Sequence, residues 1–368
     1  MKVAYDGNIF LSQKYGGISR YFNELFCQFD QQQEINYMVF SPLFINSYLH
    51  QVDPSIVYGK KINKIPNKMG RLLTAYNLLL SNSAMKKWQP DLIHETYYSN
   101  FNVGNKSCPK VITVHDMIHE IYPSSFLAND PTAKYKRNAI NRADHIIAAS
   151  ENTKKDLINI AGVTENKISV VHHGVSPIPG EAKTVPEAFD GSFLLYVGLR
   201  QGYKNFENLI KAYASSPNLK SDFTIVTFGG GAFSKGELNL FKQLKIPHNC
   251  IINMQGNDQQ LKYLYTKAAA FVYPSLYEGF GMPPLEAMCY NCPVISSNSS
   301  SIPEVVGNAA YFFNPLDIED LVYAIQQVVY SDQIRENLIK RGQQQRELFS
   351  WQRCASQTLD VYNRFSKS

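Results

Sequence analysis

The stretch Tyr273-Pro-Ser-Leu-Tyr-Glu-Gly-Phe-Gly-Met-Pro-Pro-Leu-Glu-Ala287 joins an apolar run, Ala270-Phe-Val-Tyr273, to the first turn of an expected helix. Gly279 and Gly281 free the backbone to take positive φ and to lie close against a ligand. Pro283 and Pro284 suit an opening helical turn, where missing N–H groups cost nothing. Such a turn gathers orphan N–H groups at the positive end of a helix, which suits an anion. Glu278 in the loop and Glu286 in the first turn are placed to face one pocket, where carboxylates accept hydrogen bonds from sugar and ribose hydroxyls. The same residues also describe a plain strand-to-helix loop, with Glu278 solvated and Glu286 answering the helix dipole.

The strand–loop–helix unit repeats in both directions. Upstream, apolar strands are expected at 2–6, 35–40, 92–95, 111–115, 145–149 and 168–172, with helices over 18–29, 133–143 and 151–161. After a Pro- and Gly-rich linker at 176–191, a second series has strands at 193–197, 223–228, 251–254, 270–274, 293–296 and 311–313. Its helices are expected over 204–215, 258–269, 283–290, 317–331 and 332–348, and residues 350–365 form one more. Strands alternating with helices indicate parallel sheets covered on both faces. The expected fold is therefore α/β, with two doubly wound Rossmann-like domains, 1–175 and 192–350, facing a cleft. Ligands of such sheets bind at the carboxyl ends of the strands.

Composition sets the limits. A chain of 368 residues, 44% hydrophobic and 18% charged, is a folded protein of more than one domain. The six cysteines are scattered; Cys289 and Cys292 alone form a CxxC, with no second pair and no His at metal spacing, and read as helix or core thiols, with redox or zinc use the alternative. The chain opens directly as a strand, with no secretory leader or membrane-length apolar run, so a cytoplasmic location is expected. Residues 1–180 carry 19 Lys and Arg against 14 Asp and Glu, while the remainder carries 17 of each. The excess lies in 54–90, where Lys60, Lys61, Lys64, Lys68, Arg71, Lys86 and Lys87 meet no acidic residue and interleave with apolar ones. This segment suits an anionic membrane surface on the inner face of the membrane, or is a solvated cationic helix face. Nucleic acid is not expected, because no stripe of basic and stacking residues continues elsewhere.

Other polar groups fall at predicted strand ends. His115 follows 111–114 and is placed to meet a sugar hydroxyl or a leaving phosphate. Arg200 and Lys204 share the loop after 193–197, where a fork and a point charge suit a pyrophosphate. Gly229-Gly-Gly231 suits close approach to a nucleotide, or is a flexible turn. His94-Glu95 and His119-Glu120 sit where the first domain would meet an acceptor. No G-x-G-x-x-G follows a strand, which excludes the dinucleotide-binding dehydrogenase pattern.

Taken together, Tyr15-Gly-Gly-Ile-Ser-Arg-Tyr-Phe22, Thr113-Val-His-Asp116, Tyr196–Asn205, the Glu278-to-Glu286 spacing and Ser301-Ile-Pro-Glu-Val-Val-Gly307 resemble the family-4 retaining glycosyltransferases of the GT-B fold. The resemblance covers essentially the whole chain. Within that family the first two pieces look most like bacterial mannosyltransferases that build O-antigen and other surface polysaccharides. The resemblance implies a nucleotide-sugar donor, with GDP-mannose expected, a saccharide or lipid-linked acceptor, no cofactor and no metal. No Asp-x-Asp motif occurs.

The implied roles follow residue by residue. Gly16 and Gly17 would approach the donor phosphate. Arg200 and Lys204 would hold the pyrophosphate and neutralise the leaving group. Glu278 would bind the donor sugar, helped by backbone N–H groups of Phe280, Gly281 and Met282. Gly279 and Leu285 would complete that wall, and Glu286 would take the ribose hydroxyls. His115 would touch the sugar near the reacting carbon. The helix of residues 351–368 would cross back to the first domain. Alternatives are a glycogen- or sucrose-type synthase using UDP- or ADP-glucose, and a non-catalytic polysaccharide-assembly protein of the same fold.

Overall fold

A computed structural model describes residues 1–32, 35–66, 69–184 and 191–365. Lys68, residues 185–190 of the expected linker and residues 366–368 of the expected last helix lie outside the described residues. The chain divides into two compact units. One comprises Met1–Glu120, Leu127–Gly174 and Trp351–Ser368; the other comprises Ile121–Phe126 and Val175–Ser350.

The first unit holds β1 (Lys2–Asp6), β2 (Asn36–Phe44), β3 (Val57–Lys61), β4 (Leu92–Glu95), β5 (Lys110–Val114), β6 (His145–Ala148) and β7 (Ile168–Val170). Their order is β3-β2-β1-β4-β5-β6-β7, every pair parallel. The order reverses between β1 and β4, which makes the crevice beyond their carboxyl ends the natural binding position. The central strands are buried along their length, each built on a short apolar run with polar residues such as His94, Glu95, Lys110 and His145 buried beside it. The edge strand β3, Val57-Tyr-Gly-Lys-Lys61, is almost wholly exposed and carries no such run, so its sequence gives no strand signal. Lysines on an open edge also discourage pairing with another chain.

The helix Trp351–Asn363 packs in this first unit against the helix Gly17–Gln32. A chain of buried hydroxyls and a histidine fixes it there. The Tyr362 hydroxyl lies 2.7 Å from that of Tyr5 and 2.6 Å from His94 Nδ1, and His94 Nε2 lies 2.9 Å from Thr113 Oγ1. Burial holds the His94 pKa down at about 3, so the ring is neutral in this network.

The second unit holds β8 (Phe193–Val197), β9 (Thr224–Phe228), β10 (Ile251–Met254), β11 (Ala270–Tyr273), β12 (Val294–Ser297) and β13 (Ala310–Phe313). Their order is β10-β9-β8-β11-β12-β13, again parallel. Here the order reverses between β8 and β11, paired through Ala270 with Leu194 and Phe271 with Leu195. The loops after these two strands are the ones that carry Arg200, Lys204 and Glu278. Apolar faces of the helices Phe206–Ser215 and Ile318–Val329 close the core over this sheet.

Candidate active site

The loop after β8 turns through the short helix Gly202–Lys204 into Asn205, whose backbone is left-handed at φ 57°. Asn tolerates that conformation, and its side chain ties the two switch-point loops together. Asn205 Nδ2 donates to the carbonyls of Pro274 at 3.0 Å and Pro315 at 2.8 Å, and the Leu276 N–H donates to the Tyr203 carbonyl at 2.7 Å. This clasp brings Lys204 and Glu278 together. Lys204 Nζ lies 2.7 and 3.0 Å from the two carboxylate oxygens of Glu278, which is only 7% exposed. The sequence placed both residues at strand ends. Their pairing comes only from the register of β8 against β11.

Arg200 is placed differently. Its guanidinium is buried, with Nε donating to Glu237 at 2.6 Å and the other nitrogens to the carbonyls of Gly229 (2.9 Å), Gly231 (2.9 Å) and Ala232 (3.1 Å) and to Asn253 Oδ1 (3.3 Å). Gly229, Gly230 and Gly231 are all left-handed, and a Cβ on Gly230 would meet Arg200 Nη1 at 2.8 Å. The glycine run therefore wraps an arginine. A cavity of about 720 Å³ opens beside Arg200 towards Asn208, Asn239 and Gln243, and neither Lys204 nor Glu278 lines it.

In the loop after β11 only Gly281 uses its freedom, at φ 101°; Gly279 has no positive φ. The helix begins at Met282 and runs to Met288, so Glu286 stands in its second turn rather than its first. Tyr265 donates a 3.4 Å hydrogen bond to Glu286 Oε2. Phe280 is buried against Phe349, and Leu285 is wholly buried, which leaves its side chain to the core. Three serines at and just after the end of β12 grip this loop, of which the sequence motifs include Ser301 alone. The Glu278 N–H donates to Ser300 Oγ (2.8 Å), Ser301 Oγ donates to the carbonyls of Glu278 (2.8 Å) and Phe280 (2.9 Å), and Ser297 Oγ donates to that of Ser275 (2.6 Å).

In the first unit His115 stands at the end of β5, with its Nδ1 3.2 Å from His173 Nε2 and its ring edge-on to Tyr21. Burial, helped by His94 and Lys136, lowers its pKa to about 3, so it enters any chemistry as a neutral ring. Its Nε2 has no hydrogen-bond partner among the described residues. The partner His173 carried no signal, because a histidine at a loop start looks like any other. Gly16 and Gly17 open the helix Gly17–Gln32, and the Gln13 side chain lies where a Cβ on Gly16 would be.

His94 and Glu95 do not front an acceptor. His94 belongs to the buried network described above, and Glu95 is 2% exposed and locked to Arg142. Tyr362 of the last helix takes the first of them, and Arg142 of the helix Thr132–Arg142 takes the second. Glu120 accepts a 2.8 Å hydrogen bond from Lys136, a fully buried lysine whose Nζ also reaches the Asp116 carbonyl at 2.9 Å. Lys136 thus anchors the loop that begins at His115.

Two family models match the chain: Glycosyltransferase Family 4 over residues 15–177, and Glycosyl transferases group 1 over residues 181–345. This chain belongs to the family-4 glycosyltransferases. Among relatives, the Escherichia coli O-antigen chain mannosyltransferase B is 28% identical over 308 residues, 79% of this chain and 80% of that one. The Salmonella typhimurium O-antigen chain mannosyltransferase RfbU is 31% identical over 222 residues, 60% of each chain. Among solved structures, Anabaena Alr3699/HepE in complex with UDP-glucose superposes with a TM-score of 0.70 over 99% of this chain and 100% of that one, at 16% identity. The fold of the glycosyltransferase is GT-B, built on the two parallel-sheet Rossmann-like units described above.

Proposed function

We propose that this glycosyltransferase transfers mannose from GDP-mannose, with retention of anomeric configuration and without a metal, to a saccharide or lipid-linked acceptor in surface polysaccharide synthesis. The observation that carries the reading is the Lys204–Glu278 pair, held on the two loops that flank the switch point of the second sheet. A nucleotide-sugar needs a carboxylate for its sugar hydroxyls and a cation for the charge that grows on the leaving diphosphate. Donor binding would part this pair and give each member its own half of the ligand. The bond from the sugar carbon to the diphosphate breaks as the acceptor oxygen bonds to the same face. A donor phosphate oxygen takes the acceptor's proton, and GDP leaves.

In this reading Glu286 takes the ribose and backbone N–H groups from Phe280 to Met282 meet the donor, with Gly279 and Leu285 behind them. Gly16 and Gly17 approach its phosphate, and His115 contacts the sugar as a neutral ring. Arg200 reaches the pyrophosphate only by exchanging a backbone carbonyl for a phosphate oxygen, so the first share of the charge falls to Lys204. The mannosyl donor is supported by the two mannosyltransferase relatives; the UDP-glucose held by Alr3699/HepE favours a uridine donor as the second reading. Calorimetric titration separates them: GDP is expected to bind at least about tenfold, or ~1.4 kcal/mol, more tightly than UDP or ADP. Selective binding of UDP or ADP would sink the mannosyl assignment.

The acceptor reading extends to a membrane surface. On the helix Gly70–Trp88, Leu72 is 65% exposed and Leu79 70%, with the exposed Tyr76 between them, while Arg71, Lys86 and Lys87 are also exposed. Lys60 and Lys61 project from the edge strand β3, followed by Lys64. No helix among the described residues is long and apolar enough to cross a membrane, but this face suits lying on one. Each basic residue near an anionic leaflet contributes about 1 kcal/mol, so neutralising Lys60, Lys61 and Lys64 together should weaken vesicle binding roughly a hundredfold. Co-sedimentation with phosphatidylglycerol vesicles should also fall as salt rises. Binding indifferent to salt and to these substitutions would refute the docking.

A further inference from the structure

Ser300 is one of five residues other than glycine whose backbone is left-handed among the described residues, at φ 52°. A side chain at that φ crowds the following carbonyl, and such conformations persist only where surrounding contacts enforce them. Here the enforcing contact is the hydrogen bond from the Glu278 N–H to Ser300 Oγ at 2.8 Å. On the other side of the same residue, the wholly buried Ser301 gives its hydroxyl proton to the Glu278 and Phe280 carbonyls. Both peptide groups of Glu278 are therefore held by side chains from the loop after β12. Its carboxylate is held from the far end by Lys204. When a donor draws Lys204 away, the two serines still hold the Glu278 backbone, and the Tyr273 hydroxyl remains a hydrogen-bond partner of its carboxylate.

We propose that Ser300 is a positioning residue, whose strained backbone is kept because its hydroxyl sets Glu278 for the donor sugar. The inference rests on the reading of Glu278 as the donor-sugar carboxylate and deepens it. Ser300 acts through Glu278 and touches no reacting atom. Preorganisation of this kind appears in turnover more than in ground-state affinity, and a misplacement of about 1 Å in a catalytic group can cost as much as a hundredfold.

Two substitutions separate position from stability. Ser300→Gly removes the acceptor and relieves the strain, whereas Ser300→Ala removes the acceptor and keeps the strain. The thermal midpoint of the glycine variant should lie above that of the alanine variant. Both should nonetheless lose about tenfold in kcat for hydrolysis of the nucleotide-sugar chosen by the GDP, UDP and ADP titration, with the donor KM changed less than about threefold. A merely structural serine would instead give losses that follow the thermal midpoints. In a Glu278→Ala background, Ser300→Gly should have no further effect on kcat, because the two act in series. A Ser300→Gly enzyme with parental kcat beside an impaired Glu278→Ala enzyme would overturn the inference alone, as would equal losses in both backgrounds. A fully active Glu278→Ala enzyme would overturn the reading of Glu278 itself, and the inference with it.

Discussion

Replacing Lys204 with alanine is expected to lower kcat for donor turnover by roughly 10²–10³-fold, the cost of removing one electrostatic stabiliser of a developing anion. The Nζ of Lys204 is 2.7 Å from a Glu278 oxygen, so the variant also leaves a carboxylate 7% exposed without its cation. Lys204→Arg keeps the charge but offers a planar fork in place of a compact ammonium, so only partial recovery is expected. Glu278→Gln should likewise act on turnover, because the amide keeps the shape and loses the charge. Glu286→Ala should raise the donor KM and leave kcat close to the parent, since a ribose contact binds ground and transition states alike. Steady-state and single-turnover hydrolysis of the selected nucleotide-sugar measures all four. A Lys204→Ala enzyme within about threefold of parental kcat would remove Lys204 from the chemistry.

The largest effect on stability is expected at Arg142. Its Nε donates to Glu95 Oε1 at 2.7 Å, its Nη2 to Oε2, and its Nη1 to the Ser99 carbonyl at 2.7 Å. Arg142→Met leaves Glu95 buried and alone, a change that costs about 3–5 kcal/mol. The loss should depend on pH in a defined direction. Burial raises the Glu95 pKa to about 7 against the pull of Arg142, and without the guanidinium it rises further. A carboxyl whose folded pKa exceeds its unfolded one keeps the folded state stable at low pH, and that stability drains away as pH rises from the unfolded value through the folded one. Denaturant unfolding of Arg142→Met should therefore show a larger deficit at pH 8 than at pH 5. The double variant Glu95→Leu/Arg142→Met should regain most of the loss, because no lone charge remains. A deficit below about 1 kcal/mol, or one unchanged between the two pH values, would contradict a buried, mutually dependent pair.

Glu95 also shows why part of the site was legible in the sequence and part was not. His94-Glu95 end one buried strand and His115 directly follows another in the same parallel sheet, so from the sequence their positions look alike. Tyr362 of the helix Trp351–Asn363 then occupies His94 and Arg142 occupies Glu95, while His115 Nε2 has no hydrogen-bond partner among the described residues. Arg200 and Lys204 are likewise two cations on one loop, and the three residues between them separate neither their charge nor their reach. Burial against Glu237 and the glycine carbonyls occupies the first, and Glu278 meets the second. Ser300 and His173 gave no signal at all, because a hydrogen bond to a residue 22 or 58 positions away leaves no local pattern.

The repeating strand–loop–helix units, the Gly- and Pro-shaped turn from Tyr273 to Ala287 and the placing of polar groups at strand ends are all readable from the order of residues. These are local properties, written in apolar runs and in backbone preferences that act over a few residues. Which of those groups pair is set by the packing of the folded chain. Coulombic attraction and desolvation depend on distance and burial, and both are set between residues far apart in the chain. The reversal of strand order between β8 and β11 is what puts Lys204 against Glu278.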